Sequence, residues 1–126
     1  MDSIYRDHIL EHARHPRNFG VLADATKQAR LANPTCGDVC TIYLKIANDA
    51  IVNATFDGHG CALSTAAASL LTEHLTSMSS VAPIIGGVTM PCLNEAEFLT
   101  LLGIEPTSGR LDCALLPLRA LNAALK

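Results

Sequence analysis

The chain has no Cys-x-x-Cys pair, no internal repeat, no low-complexity tract and no apolar run long enough to cross a bilayer. Each absence removes a class of protein. Without Cys-x-x-Cys the usual dithiol redox motif is missing. A membrane helix needs about 20 predominantly apolar residues in a row, so no span is expected. Met1-Asp2-Ser3-Ile4-Tyr5-Arg6 carries no basic region followed by an apolar run, so no secretory signal is read there and a cytoplasmic protein is expected. Charge is also sparse: 17% of residues are charged and the formal net charge is -3, which argues against a nucleic-acid partner and against a disordered acidic chain.

What is present is apolar. Hydrophobic residues make up 49% of 126 positions, enough for one globular domain spanning 1–126 to bury its own core. Five cysteines, an odd number without a secretion signal, favour metal ligation or reactive thiols over a disulfide framework.

Residues 2 to about 14 place Ile4, Ile9, Leu10 and Ala13 among polar positions, an amphipathic helix stopped by Pro16. His8 and His12 lie one turn apart on it and are read as its polar, solvated face rather than as a metal pair. Lys27 to Ala32 suits an edge strand. The runs Thr41–Ile46 and Ile51–Phe56, separated by Asn48-Asp49, predict a β-hairpin. Ala62 to Glu73 is strongly helical, and its Ala66, Ala67, Ala68 and Ser69 allow close packing on a sheet. Residues 79–93, with two prolines and Gly86-Gly87, read as a loop or hinge. Asn94 caps a short helix ending at Gly103, and a last helix runs from about Asp112 to Leu125, bending or starting late at Pro117.

Three cysteines stand in turn-like surroundings: Asn33-Pro34-Thr35-Cys36-Gly37-Asp38, Gly58-His59-Gly60-Cys61, and Arg110-Leu111-Asp112-Cys113. Thiolates and carboxylates bind zinc and iron, and four such groups from distant segments can close one tetrahedral site. The expected set is Cys36, Asp38, Cys61 and Cys113. Gly37 lets the backbone turn so that Cys36 and Asp38 face one point. Cys61 falls at the start of a helix, where unpaired amides and the helix dipole stabilise a thiolate. Arg110 either supports a thiolate or persulfide at Cys113 by its charge or is a solvated loop residue. His59 is a fourth ligand, a hydrogen-bond donor to one of the ligands, or simply an exposed turn residue. In an extended chain Cys40 would lie about 13 Å beyond Cys36, too far to share an ion, so it is read as a buried strand thiol, and Cys92 as an ordinary apolar thiol.

In order along nearly the whole chain, these residues resemble a known family. Tyr5-Arg6 with His12 and Pro16-Arg17-Asn18-Phe19-Gly20, then Asn33–Asp38, then Gly58-His59-Gly60-Cys61-Ala62 with Ser64 and Thr72-Glu73, then Arg110 with Cys113-Ala114 match the U-type iron-sulfur cluster assembly proteins, comprising IscU, SufU and the NifU N-terminal domain. The resemblance implies an α+β fold, with a small antiparallel β-sheet, helices packed on one face and a metal site at one tip. It implies a scaffold and sulfur acceptor that takes persulfide sulfur from a cysteine desulfurase. On Cys36, Asp38, Cys61 and Cys113 the protein would hold a zinc ion or a nascent iron-sulfur cluster, with iron-sulfur acceptor or assembly proteins as further partners. IscU-type members carry a histidine just before the third cysteine and a Leu-Pro-Pro-Val-Lys motif nearby. This chain has Asp112 there and no such motif, and Arg110 with Cys113 is more similar to the SufU type, a zinc-dependent sulfurtransferase. Cys113 is then the expected sulfur-accepting thiol, Cys61 the second choice, and Asp38 the labile ligand. The rival readings are a small interaction module with a purely structural zinc and, more weakly, a thiol redox enzyme.

Overall fold

The computed structural model describes residues 3–33, 37–47, 50–77, 82–85, 88–89, 95–103 and 111–125. Its elements in chain order are α1 (Ser3–Arg14), β1 (Lys27–Asn33), β2 (Asp38–Ala47), β3 (Ala50–His59), α2 (Ala62–Ser77), β4 (Ala82–Ile85), β5 (Val88–Thr89), α3 (Glu95–Leu102) and α4 (Leu111–Leu125). The strands lie in space in the order of the chain, each antiparallel to its neighbour. β1 is therefore an edge, as its polar sequence predicts. β2 and β3 form the expected hairpin, longer at both ends than the strand-forming runs alone suggest. One irregularity follows Lys45: Lys45 faces Asn53 and Ile46 faces Ile51, so Val52 is bulged out of the ladder and is exposed.

The stretch 79–93 departs from expectation. Part of it is strand: Ala82–Ile85 continues the sheet against Ala50 and Ile51 of β3, and Val88–Thr89 returns along Ile84 and Ile85. Pro83 sits opposite Ala50 and outside the β4–β5 pairing, so its missing amide does not interrupt that ladder. Gly86 and Gly87, the pair that reads as a breaker, lie outside the described residues.

Strand alternation then sorts the side chains. Along β2, Asp38, Cys40, Ile42 and Leu44 share one face; across from them stand Leu31, Ala29 and Lys27 on β1 and Gly58, Phe56 and Ala54 on β3. Helices α2 and α4 pack on the sheet, α1 lies against α2, and α3 lies against α4. Cys40, Ile42, Leu44, Ala54 and Phe56 close the core with Leu71, Phe98, Leu102, Leu115, Leu118 and Leu121. Ala66, Ala67 and Ala68 are fully buried, the close packing their size allows. The opposite face of the sheet carries Thr41 and Asp57 as one cross-strand pair and Tyr43 and Thr55 as the next, with the Tyr43 hydroxyl donating to Asp57 Oδ2 at 3.0 Å.

Helix α4 runs unbroken through Pro117, which is buried. A proline nitrogen cannot donate to the carbonyl four residues back, here that of Cys113, so the ring sits one turn above the cysteine. No helix among the described residues is long and apolar enough to cross a membrane.

Candidate metal centre

The register of β2 decides where Asp38 goes. It is the first residue of the strand, paired with Asn33, and shares the helix-facing side with Cys40. Its carboxylate therefore enters the sheet–helix layer at the end of the sheet where β3 gives way to α2. The turn feeding it is closed by the Gly37 amide, which donates to the Asn33 carbonyl at 2.8 Å, and Gly37 adopts a left-handed φ of 77°. That conformation is strained for residues with a side chain, which is why a glycine suits position 37.

Cys61 stands between β3 and α2 as the helix cap. Its carbonyl accepts the Thr65 amide at 3.1 Å, and its sulfur accepts the Ser64 amide at 3.5 Å. The thiol thus takes the place that a serine or aspartate oxygen usually fills at a helix start. The Cys61 amide in turn donates to Asp38 Oδ1 at 3.2 Å, fixing the carboxylate against the loop. Cys113 lies in the first turn of α4, whose N-terminus comes to the same tip because α4 packs on β1, β2 and α2.

The outcome is a cluster. One carboxylate oxygen of Asp38 and the sulfurs of Cys61 and Cys113 all lie within 4.8 Å of one another, with Asp38 buried and both cysteines half-buried. Two sulfurs bound to one tetrahedral zinc at 2.3 Å each are about 3.7 Å apart, so a small contraction closes these atoms on an ion. The donor set fits too: two soft thiolates with one harder oxygen suit zinc or iron better than calcium or magnesium. A carboxylate buried beside two thiols is an arrangement that a cation stabilises.

Cys36, Cys92 and Arg110 lie outside the described residues. Cys40 is buried in the sheet, its thiol pushed up to about 12 by burial and then by the nearby Asp57. It belongs to the core, as its strand position predicts. His59 is exposed at the end of β3, opposite Val39 and on the face away from Asp38. It stands outside the cluster.

His12 corrects the reading of α1. Instead of lying on a solvated face it is buried, with the Ser69 hydroxyl 2.7 Å from its Nδ1 and the Glu73 carboxylate 4.0 Å from its Nε2. The signal was its spacing: Ile9 and His12 are three apart and point the same way, toward α2. Around them the Arg17 amide donates to Ser69 Oγ at 2.8 Å, and Thr72 Oγ1 donates to the Ala68 carbonyl at 2.9 Å. This polar seam fastens α1 and the turn after it to α2, the helix that Cys61 caps.

A family model for the NifU-like N terminal domain matches residues 4–126. The chain belongs to this family. Among its relatives, the zinc-dependent sulfurtransferase SufU of Bacillus subtilis is 32% identical, over 97% of this chain and 89% of that protein. The iron-sulfur cluster assembly scaffold protein IscU of Streptococcus pyogenes is 30% identical, over 100% of this chain and 85% of that one. The likeness to the SufU type read from Arg110 and Cys113 thus meets a relative of that name. Among solved structures, a crystal structure described as a hypothetical protein superimposes with a TM-score of 0.71 at 26% identity, covering 99% of this chain and 98% of the other. A Fervidobacterium islandicum protein described as a candidate iron-sulfur cluster assembly scaffold for the SUF system shares the fold, with a TM-score of 0.68 at 23% identity over 95% of each chain. The NifU-like N-terminal architecture is therefore α+β, with its donor cluster at one tip of the sheet–helix layer.

Proposed function

We propose that this protein accepts persulfide sulfur from a cysteine desulfurase and serves in iron-sulfur cluster assembly, with Asp38, Cys61, Cys113 and Cys36 holding a zinc ion or receiving a nascent cluster as cargo. One observation carries the reading: Asp38, Cys61 and Cys113, from three separate elements, bring an oxygen and two sulfurs within 4.8 Å of one another. The names of the SufU and IscU relatives agree with it.

A bound zinc keeps its thiol ligands deprotonated at neutral pH. The protein must then let one thiolate go without losing the site. Cys61 is tied to the fold by its cap on α2 and by the Asp38 contact through its amide. Cys113 is the thiolate assigned to acceptance. It attacks the outer sulfur of the desulfurase persulfide, a sulfur–sulfur bond forms at Cys113, the desulfurase sulfur–sulfur bond breaks, and the desulfurase cysteine leaves as its thiolate. The exchange is electron-neutral and needs no further oxidant. Asp38 is the harder, weaker ligand, suited to the position that opens and closes.

The test is to mix the protein with a desulfurase and cysteine and to map added sulfur by mass spectrometry. Sulfur on Cys113, with acceleration of cysteine turnover that Cys113→Ser abolishes while the fold survives, is expected. No sulfur on the protein with any cognate desulfurase, together with zinc that cannot be exchanged without unfolding, overturns the proposal in favour of a structural zinc.

A further inference from the structure

Two glycines precede Cys61, and they are glycines for different reasons. At Gly58 the backbone has a φ of +133°, and a Cβ would fall 2.2 Å from the Val39 carbonyl oxygen. Any side chain there collides with the β2 backbone, so Gly58 belongs to the folding of the hairpin. Gly60 is not among the residues with positive φ. A Cβ at Gly60 would meet Asp38 first and nearest: Cγ at 2.9 Å, Oδ1 at 3.1 Å and Cβ at 3.2 Å. The space a side chain would take at position 60 is filled by the carboxyl group of one candidate ligand.

We propose that Gly60 is a positioning residue for the Asp38 carboxylate. Its missing side chain lets Asp38 lie flat on the loop, where Oδ1 accepts the Cys61 amide at 3.2 Å and the carboxylate stays within reach of the Cys61 and Cys113 sulfurs. A methyl group at position 60 leaves the local backbone permitted and the thiols in place, but turns the carboxylate about its χ1 bond, away from the Cys61 amide and the shared point. The inference rests on the metal-site reading for its consequence, while its geometry concerns the protein alone.

Gly60→Ala tests it with two readouts. In the metal-free protein, hydrogen exchange followed by NMR reports the Cys61 amide directly. Its exchange is expected to rise at least about tenfold, the loss of a hydrogen bond to a charged acceptor, while amides in the centres of β2 and β3 keep their protection. With cobalt(II) as the probe ion, the visible spectrum of Gly60→Ala is expected to shift toward that of Asp38→Ala and to retain its thiolate charge-transfer bands. In the Asp38→Ala background, adding Gly60→Ala should change neither readout further, because the group it displaces is gone. Gly58→Ala serves as the comparison, lowering stability throughout the hairpin. Unchanged Cys61 exchange in Gly60→Ala overturns the proposal, as does an equal effect of Gly60→Ala with and without Asp38. Loss of Cys61 protection in a protein that takes no sulfur from a desulfurase would uphold the positioning role and refute the function proposed above.

Discussion

The Ser69 hydroxyl lies 2.7 Å from Nδ1 of His12, joining residues 57 apart in sequence across the contact between α1 and α2. Ser69 Oγ also accepts the Arg17 amide, and the Glu73 carboxylate lies 4.0 Å from His12 Nε2. His12 therefore completes the seam between α1 and α2. Replacing it by alanine removes the bond and the ring from a buried site, and His12→Ala is expected to cost about 2 kcal/mol of unfolding free energy, measured by urea denaturation.

The same histidine makes stability depend on pH. Burial first, then Arg17 and His8, hold its pKa below the ordinary value, while Glu73 and Glu11 pull it upward less strongly. A base with a lower pKa folded than unfolded binds its proton more readily when unfolded. The stability it confers is present above the unfolded value, about 6.5, and is lost as pH falls through the folded value. The melting temperature should fall more steeply from about pH 7.5 to 5.5 in the wild type than in His12→Gln. Parallel pH profiles for the two proteins would remove His12 as the cause.

Thiol reactivity should divide along the line between core and site. Cys40 is buried with its thiol pushed up to about 12, so at pH 8 its thiolate fraction is of order one in ten thousand. In metal-free protein iodoacetamide should label Cys61 and Cys113 well before Cys40. Adding zinc should protect the first two and leave Cys40 unaffected. Peptide mapping by mass spectrometry reads both results, and early labelling of Cys40 would contradict its place in the sheet.

Asp38→Ala should remain folded and keep binding metal through its thiolates, but release it to a chelator more slowly, by about tenfold, because the weaker ligand through which exchange proceeds is gone. Release followed by absorbance after adding a chelator measures this. A metal-free, unfolded Asp38→Ala would make the carboxylate a structural group instead.

In the core, Leu118 on α4 is 1% exposed and packs beneath the sheet. Leu118→Ala is expected to lower unfolding free energy by about 3 kcal/mol, whereas Val21→Ala, at a side chain 68% exposed, should change it by less than about 0.5 kcal/mol. Paired urea titrations decide between them.

Much of this was legible in the chain because local rules carry it. Pro16 ends α1, the β-branched runs from Thr41 and Ile51 pair as a hairpin, and the alanines of α2 pack tightly. Cys40 could be kept apart from the site because strand spacing is nearly constant. Where several local signals compete, reading by composition misleads. Proline and glycine in 79–93 point to a loop, yet strand pairing with Ala50 and Ile51 recruits Ala82–Ile85 to the sheet. His12 reads as surface because histidine is polar, yet a single buried hydroxyl makes its burial tolerable.

The chemistry of the donors was thus a property of the sequence alone: Asp38, Cys61 and Cys113 are the residue types that hold zinc or iron, each set beside a turn or helix start that the backbone must make. Their meeting was not. Positions 38, 61 and 113 come within 4.8 Å only because the register of β2 turns Asp38 toward the helices, Cys61 caps α2 at that same end, and α4 packs on the sheet with its first turn beside them. Register and helix packing are decided by contacts between residues far apart in the chain, and only the folded layer as a whole supplies those contacts.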